Sequence, residues 1–166
     1  MRLRRRIFCI LTTLLTLLLD TSVMPFTGLG MQYLPRICLV NVILIGTILG
    51  GTQGIIYGAL AGILLGISSY QPAGLVAIMY TACAMTAGAI SRKIKPALVT
   101  VLPPIVGYSM YELSMLMYYY VSTGFFPLAK FGLAGIRLAV ALVLIQILYI
   151  PWIKILKPSS IGKSRR

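Results

Sequence analysis

The sequence predicts an all-α integral membrane protein of six short transmembrane helices. Three observations predict it. The 166 residues are 59% hydrophobic and only 10% charged, with a mean hydropathy of +0.97, and so few polar side chains cannot cover a water-facing surface. The apolar residues fall in long runs separated by short segments rich in Pro, Gly, Ser or basic residues. The charges sit at the edges of those runs, as they do where helices end at a bilayer interface.

The first element is a basic head, RLRRR over 2–6, followed by an apolar run. No A-x-A-like cleavage site follows it, so it reads as an uncleaved first helix over about 7–26 and not as a removed signal. Asp20 lies near its far end, and Pro25, Gly28 and Gly30 mark the turn beyond. The second helix is expected from Leu34 to Leu49, with Pro35 in its first turn, where a missing N–H does no harm.

Gly50, Gly51, Thr52, Gln53 and Gly54 interrupt the apolar run, and a third helix follows from Ile55 to Ser68. The interruption reads as a break between two helices rather than a bend in one. Glycine recurs here at 46, 50, 54, 58, 62 and 66. Residues four apart share a helix face, so Gly54, Gly58, Gly62 and Gly66 line a groove without side chains. In lipid this spacing lets a second helix approach closely. The groove is expected to pack a helix, either of this chain or of a partner.

Ser69, Tyr70, Gln71 and Pro72 form a loop before a fourth helix over Ala73–Ile90. The basic loop SRKIKP over 91–96 leads to a fifth helix over about Ala97–Val121, where Pro103 and Pro104 predict a kink. Tyr118, Tyr119 and Tyr120 read as an interfacial aromatic belt. A loop over 122–132 precedes the sixth helix, about Leu133–Ile153, anchored by Trp152 and Lys154. The domain plan is thus a basic N-terminus over 1–6, a six-helix domain over 7–156 and a basic tail over 157–166.

Six spans put both termini on one side. That side carries Arg2, Arg4, Arg5, Arg6, Arg92, Lys93, Lys95, Lys154, Lys157, Lys163, Arg165 and Arg166, against Arg36, Lys130 and Arg137 on the other. Twelve against three predicts that both termini face the cytoplasm of a cell membrane. The net charge of +13 therefore reads as a topology signal and as contacts with anionic lipid, not as a nucleic-acid surface.

Catalytic and metal sites need clustered Ser, Cys, His, Asp or Glu. The chain has no histidine and two carboxylates far apart in sequence, and its three cysteines lie singly in apolar runs. Neither an enzyme nor a cofactor or metal is expected. Ionisable residues inside spans are costly and so mark candidate sites. Helix one reaches Asp20 roughly 20 Å along its length and helix five reaches Glu112 roughly 22 Å along, at ~1.5 Å per residue. Asp20, Arg36, Glu112 and Arg137 thus fall at similar depth, on the outer side. Glu112 and Arg137 are expected to form an intramembrane pair. Asp20 and Arg36 either form a second pair or reach separately to the interface.

The stretch LPRICL over 34–39, the glycine helix GIIYGALAGILLGISS, the turn QPAG and the helix LVAIMYTACAMTAGAISRK together resemble the rod shape-determining MreD family. Two positions depart from that family's pattern. Arg36 stands where an acidic residue is common, and Gly66, Ile67 and Ser68 stand where an aspartate often ends the glycine helix. The resemblance implies a non-enzymatic scaffold that binds an MreC-like membrane protein. It implies further partners in the rod complex, namely the actin-like MreB, a glycan polymerase and a transpeptidase. It also implies a fold similar to the substrate-binding S-components of energy-coupling-factor vitamin transporters. That fold supplies the alternative reading, a vitamin-binding subunit with Asp20, Tyr108, Tyr111 and Tyr118 around an outer pocket. A small channel or exporter would need a polar pore stripe, and the sequence offers no obvious one.

Overall fold

The computed structural model describes residues 2–23, 34–68, 72–95, 98–125 and 128–156. These form six helices: α1 (Arg2–Leu18), α2 (Ile37–Leu49), α3 (Gly51–Ser68), α4 (Ala73–Ser91), α5 (Leu102–Thr123) and α6 (Leu128–Leu156). α1 continues into a wider π turn over Leu19–Val23. The turn expected at Pro25, Gly28 and Gly30, most of the loop at 69–72 and the tail over 157–166 lie outside the described residues.

α2 is the central element. Every residue from Cys38 to Ile48 is buried, so the helix is apolar all round, as a helix enclosed by others must be. α1, α3, α4, α5 and α6 surround it. Its one strongly polar side chain, Asn41, donates from Nδ2 to Thr13 Oγ1 of α1 at 3.3 Å. Thr12, Thr13 and Thr16 return their hydroxyls to carbonyls of the preceding turn of α1, which satisfies them in an apolar setting.

The break between α2 and α3 is narrower than expected. Gly50 alone leaves the helix, with φ of 99°, a left-handed value that only glycine adopts cheaply. Gly51, Thr52, Gln53 and Gly54 already belong to α3, and Gln53 and Gly54 donate their N–H groups to the Gly50 carbonyl.

α3 and α4 then run antiparallel in close register. A Cβ on Gly58 would lie 2.9 Å from the Tyr80 carbonyl oxygen, and one on Gly62 would lie 2.5 Å from the Ala77 Cα. Gly54 meets Ala84 and Gly46, and Gly66 meets Ala73. The glycine groove is therefore filled by α4 of this same chain and offers no room to a partner helix. Gly88 of α4 returns the arrangement by packing on Gly51.

Four further boundaries differ from the expected ones. α2 begins at Ile37, so Leu34 and Pro35 precede the helix and Pro35 is not in its first turn. α1 begins inside the basic head, because Arg4, Arg5 and Arg6 hold helical conformation and alternate solvent-facing and half-buried positions. α5 begins at Leu102, so Pro103 and Pro104 occupy its first turn and cause no kink. Their missing N–H groups are among those that a helix start leaves unused in any case. α6 is longer than expected, 29 residues, and carries Pro151 within its last two turns.

Among the described residues, three helices are long and apolar enough to cross a membrane: Gly51–Ser68, Ala73–Ser91 and Lys130–Leu156. Large apolar side chains also point outward from every helix but α2, among them Leu11, Leu15, Ile67, Ile78, Leu113 and Ile147. A hydrocarbon surround accounts for such a surface, and together these features suggest a membrane protein. Cys9, Cys38 and Cys83 are free thiols buried among these helices.

Candidate functional site

All four ionisable residues singled out in the sequence line one cavity of about 570 Å³. Four segments build it. The end of α1 and its π turn bring Asp20, and the start of α2 brings Leu34, Pro35 and Arg36. α5 brings Tyr108, Tyr111, Glu112, Met115 and Tyr119, a run at i, i+3, i+4, i+7 and i+11 that shares one helix face. α6 brings Lys130 and Arg137, two turns apart on the face opposite.

Glu112 and Arg137 meet here. Arg137 Nη1 stands 3.6 Å from Glu112 Oε2. Glu112 is buried and its other oxygen, Oε1, has no hydrogen-bond partner. The Tyr108 hydroxyl lies beside the same carboxylate but makes no well-formed hydrogen bond to it. A desolvated charge with half its bonding capacity unused is a costly arrangement.

Asp20 and Arg36 do not form the second pair. Neither Asp20 nor Glu112 comes within 4.0 Å of the Arg36 guanidinium. Asp20 instead accepts two backbone hydrogen bonds, Ile37 N–H to Oδ1 and Cys38 N–H to Oδ2, each 2.9 Å. Arg36 is the residue before α2, and its own side chain caps nothing. The carboxylate of another helix therefore caps α2, and the helix dipole adds to its hold. The physical reason is reach and number. Two aligned N–H donors satisfy both carboxylate oxygens, where a flexible guanidinium would have to be ordered to do the same.

Arg36 is left half-buried among Asp20, Tyr80 and Tyr111. Those tyrosines form an aromatic wall. Tyr80 and Tyr111 meet edge to face with centroids 5.8 Å apart, and Tyr108 lies 6.2 Å from Tyr111. The Tyr80 and Tyr108 hydroxyls are buried without hydrogen-bond partners. Lys130 Nζ sits 3.2 Å over the Tyr119 ring, a cation held by an aromatic face.

Lys130 and Tyr119 were visible in the sequence only as a topology charge and a belt residue. The spacing from Lys130 to Arg137, and the stripe from Tyr108 to Tyr119, were the signals that could have placed them at the site. No group of three or more His, Cys, Asp or Glu among the described residues could hold a metal ion. A second cavity lies at the opposite end of the bundle, between Arg5, Gly50, Arg92, Tyr149 and Ile153. Set against family models, curated proteins and solved structures, the chain matches none.

Proposed function

We propose that the protein is a non-enzymatic membrane scaffold of the MreD type, which supports cell shape and lateral wall synthesis by binding an MreC-like protein in a rod complex. The observation that carries this reading is the close register of α3 on α4. The glycines on which the sequence resemblance rests, Gly54, Gly58, Gly62 and Gly66, are the ones that set that register. A resemblance carried by residues with a structural task is stronger than one carried by composition alone. In this reading the six helices cross the cell membrane with both termini in the cytoplasm. The charge split supports that topology, with Arg5 and Arg92 gathered at one end of the bundle and Arg36, Lys130 and Arg137 at the other. The partner interface is then an outward apolar face, not the glycine groove.

A second reading, the substrate-binding S-component of a vitamin transporter, draws support from the cavity, because Asp20, Tyr108, Tyr111 and Tyr118 all line it. Co-purification from native membranes with mass spectrometry of proteins and small molecules separates the two. Under the scaffold reading an MreC-like protein and rod-complex members elute with the chain. An energising ATPase module with a bound vitamin in the eluate, and no MreC-like protein, would overturn it.

A further inference from the structure

The cavity between α1, α2, α5 and α6 holds two groups with opposite unmet needs. Arg36 brings a permanent positive charge; its side chain meets the neutral Tyr111 hydroxyl, and neither Asp20 nor Glu112 lies within 4.0 Å of it. Glu112 brings Oε1, an acceptor with no partner on a residue only 7% exposed. The fully buried Tyr108 hydroxyl lies beside the Glu112 carboxylate without making a well-formed hydrogen bond, and Tyr108 lines the same cavity. Arg36 and Glu112 lie within electrostatic reach of each other. Glu112 and Tyr108 have lost their water and half-buried Arg36 part of it, and a ligand that supplies the missing partners recovers that loss.

The needs define the ligand. Water can donate to Glu112 Oε1 but cannot neutralise a half-buried guanidinium. A simple anion satisfies Arg36 and leaves Glu112 Oε1 facing a second negative charge. A simple cation does the reverse. The other two lining cations are engaged, Lys130 on the Tyr119 ring and Arg137 on Glu112 Oε2. A molecule with both signs of charge meets both groups at once, its cation adding to the hold that Arg137 has on the other Glu112 oxygen. Guanidinium matches phosphate in a two-pronged geometry, and a primary ammonium offers donors to Glu112 Oε1 and the Tyr108 hydroxyl. Leu34, Met115, Leu116 and Leu133 line the rest of the cavity and suit an uncharged glycerol or acyl portion. The volume, about 570 Å³, lies within the range of small-molecule sites.

We propose that this cavity binds a phosphate-linked primary ammonium, with the phosphate on Arg36 and the ammonium on Glu112 Oε1. Two sources present that chemistry: the headgroup of phosphatidylethanolamine entering from a bilayer, and a soluble molecule such as glycerophosphoethanolamine. The site goes beyond the scaffold reading and needs neither a rod complex nor an energising module.

The test is a binding titration of the full chain in a non-ionic detergent, by native mass spectrometry, with three probes. These are phosphatidylethanolamine, phosphatidylglycerol and glycerophosphoethanolamine. Saturable binding of the first is expected, with phosphatidylglycerol at least tenfold weaker. Arg36→Gln and Glu112→Gln should each weaken it at least tenfold, and Tyr108→Phe severalfold. Glycerophosphoethanolamine binding as tightly as the lipid assigns the soluble source, and its failure to compete assigns the headgroup. If Glu112→Gln yields no folded protein, Arg36→Gln and Tyr108→Phe decide, with circular dichroism as the check on fold. Equal affinity for phosphatidylglycerol, no saturable binding of either ethanolamine probe, or unchanged affinity in the variants overturns the proposal.

Discussion

Asp20 closes the start of α2 across 18 residues of chain, accepting the Cys38 N–H at Oδ2 and, from the residue before, the Ile37 N–H at Oδ1. This joins the end of the first helix to the beginning of the central one. The first turn of α2 is buried among other helices, so its unused donors have no water to turn to. One carboxylate satisfies two of them and fixes where the chain enters the core.

The cap predicts an order among substitutions. Asp20→Ala strands both donors and should cost about 2 kcal/mol, the upper part of the range for lost helix caps. Asp20→Asn keeps one acceptor oxygen and should cost roughly half as much. Arg36→Gln should leave the cap untouched and cost less than either. Thermal unfolding in detergent, followed by circular dichroism, measures the series. Equal losses for Asp20→Asn and Arg36→Gln would show that Asp20 acts through Arg36 after all.

The α3–α4 contact predicts a sharper divide. Leucine at Gly58 or Gly62 must push the α4 backbone away at Tyr80 or Ala77. Each should cost about 3 kcal/mol or more, because backbone cannot give as a side chain does. At Gly74 and Gly132 nothing lies within 4 Å of where a methyl group would sit, and alanine there should be neutral or mildly stabilising. Folded yield and melting temperature of the four variants test this. Gly62→Leu melting with the native protein would refute the close register.

These contacts differ in how far the sequence exposed them. The four-residue glycine spacing is a local pattern, and one helix face follows from it by geometry alone. Which helix would fill the groove depended on tertiary packing, and so α4 and a partner stood as equals until the structure placed Ala77 and Ala73 there. Pro103 and Pro104 illustrate a different limit. A proline pair both starts helices and kinks them, and the choice turns on whether the residues before it are helical. Here Leu98 to Val101 form a turn, held by the Leu98 and Val101 N–H groups. Asp20 and Arg36 show a third. Opposite charges near in sequence suggest a pair, but the backbone N–H groups that win the carboxylate have no letter in the sequence. The cavity was the least legible feature, since it needs the rotations of α5 and α6 to agree.

The proposed topology has its own measurement. With six crossings, a reporter fused after Thr123 and one fused after Leu156 must lie on opposite sides of the membrane, the latter in the cytoplasm. Alkaline phosphatase should be active at the first position and inactive at the second, and a fluorescent protein the reverse. The same side for both would rule out a crossing by α6.

Glu112 and Arg137 give the last prediction. The contact is long, 3.6 Å, and unequal, since the Glu112 side chain is 9% exposed and that of Arg137 31%. The arginine can turn outward when its partner is removed, whereas the carboxylate has nowhere to go. Arg137→Gln should therefore be the more harmful change, because it leaves a buried charge with neither oxygen held by a cation. A loss of about 3 kcal/mol is expected for it and about 1–2 kcal/mol for Glu112→Gln, which keeps the shape and removes the charge. The double variant should cost less than the sum, by about 1–2 kcal/mol, as contacting residues do. Reversible unfolding in mixed detergent micelles, applied to the two single variants and the double, supplies the cycle. Additive losses would mean that α5 and α6 dock without this pair. A larger loss for Glu112→Gln than for Arg137→Gln would mean that the carboxylate is held chiefly by something other than Arg137.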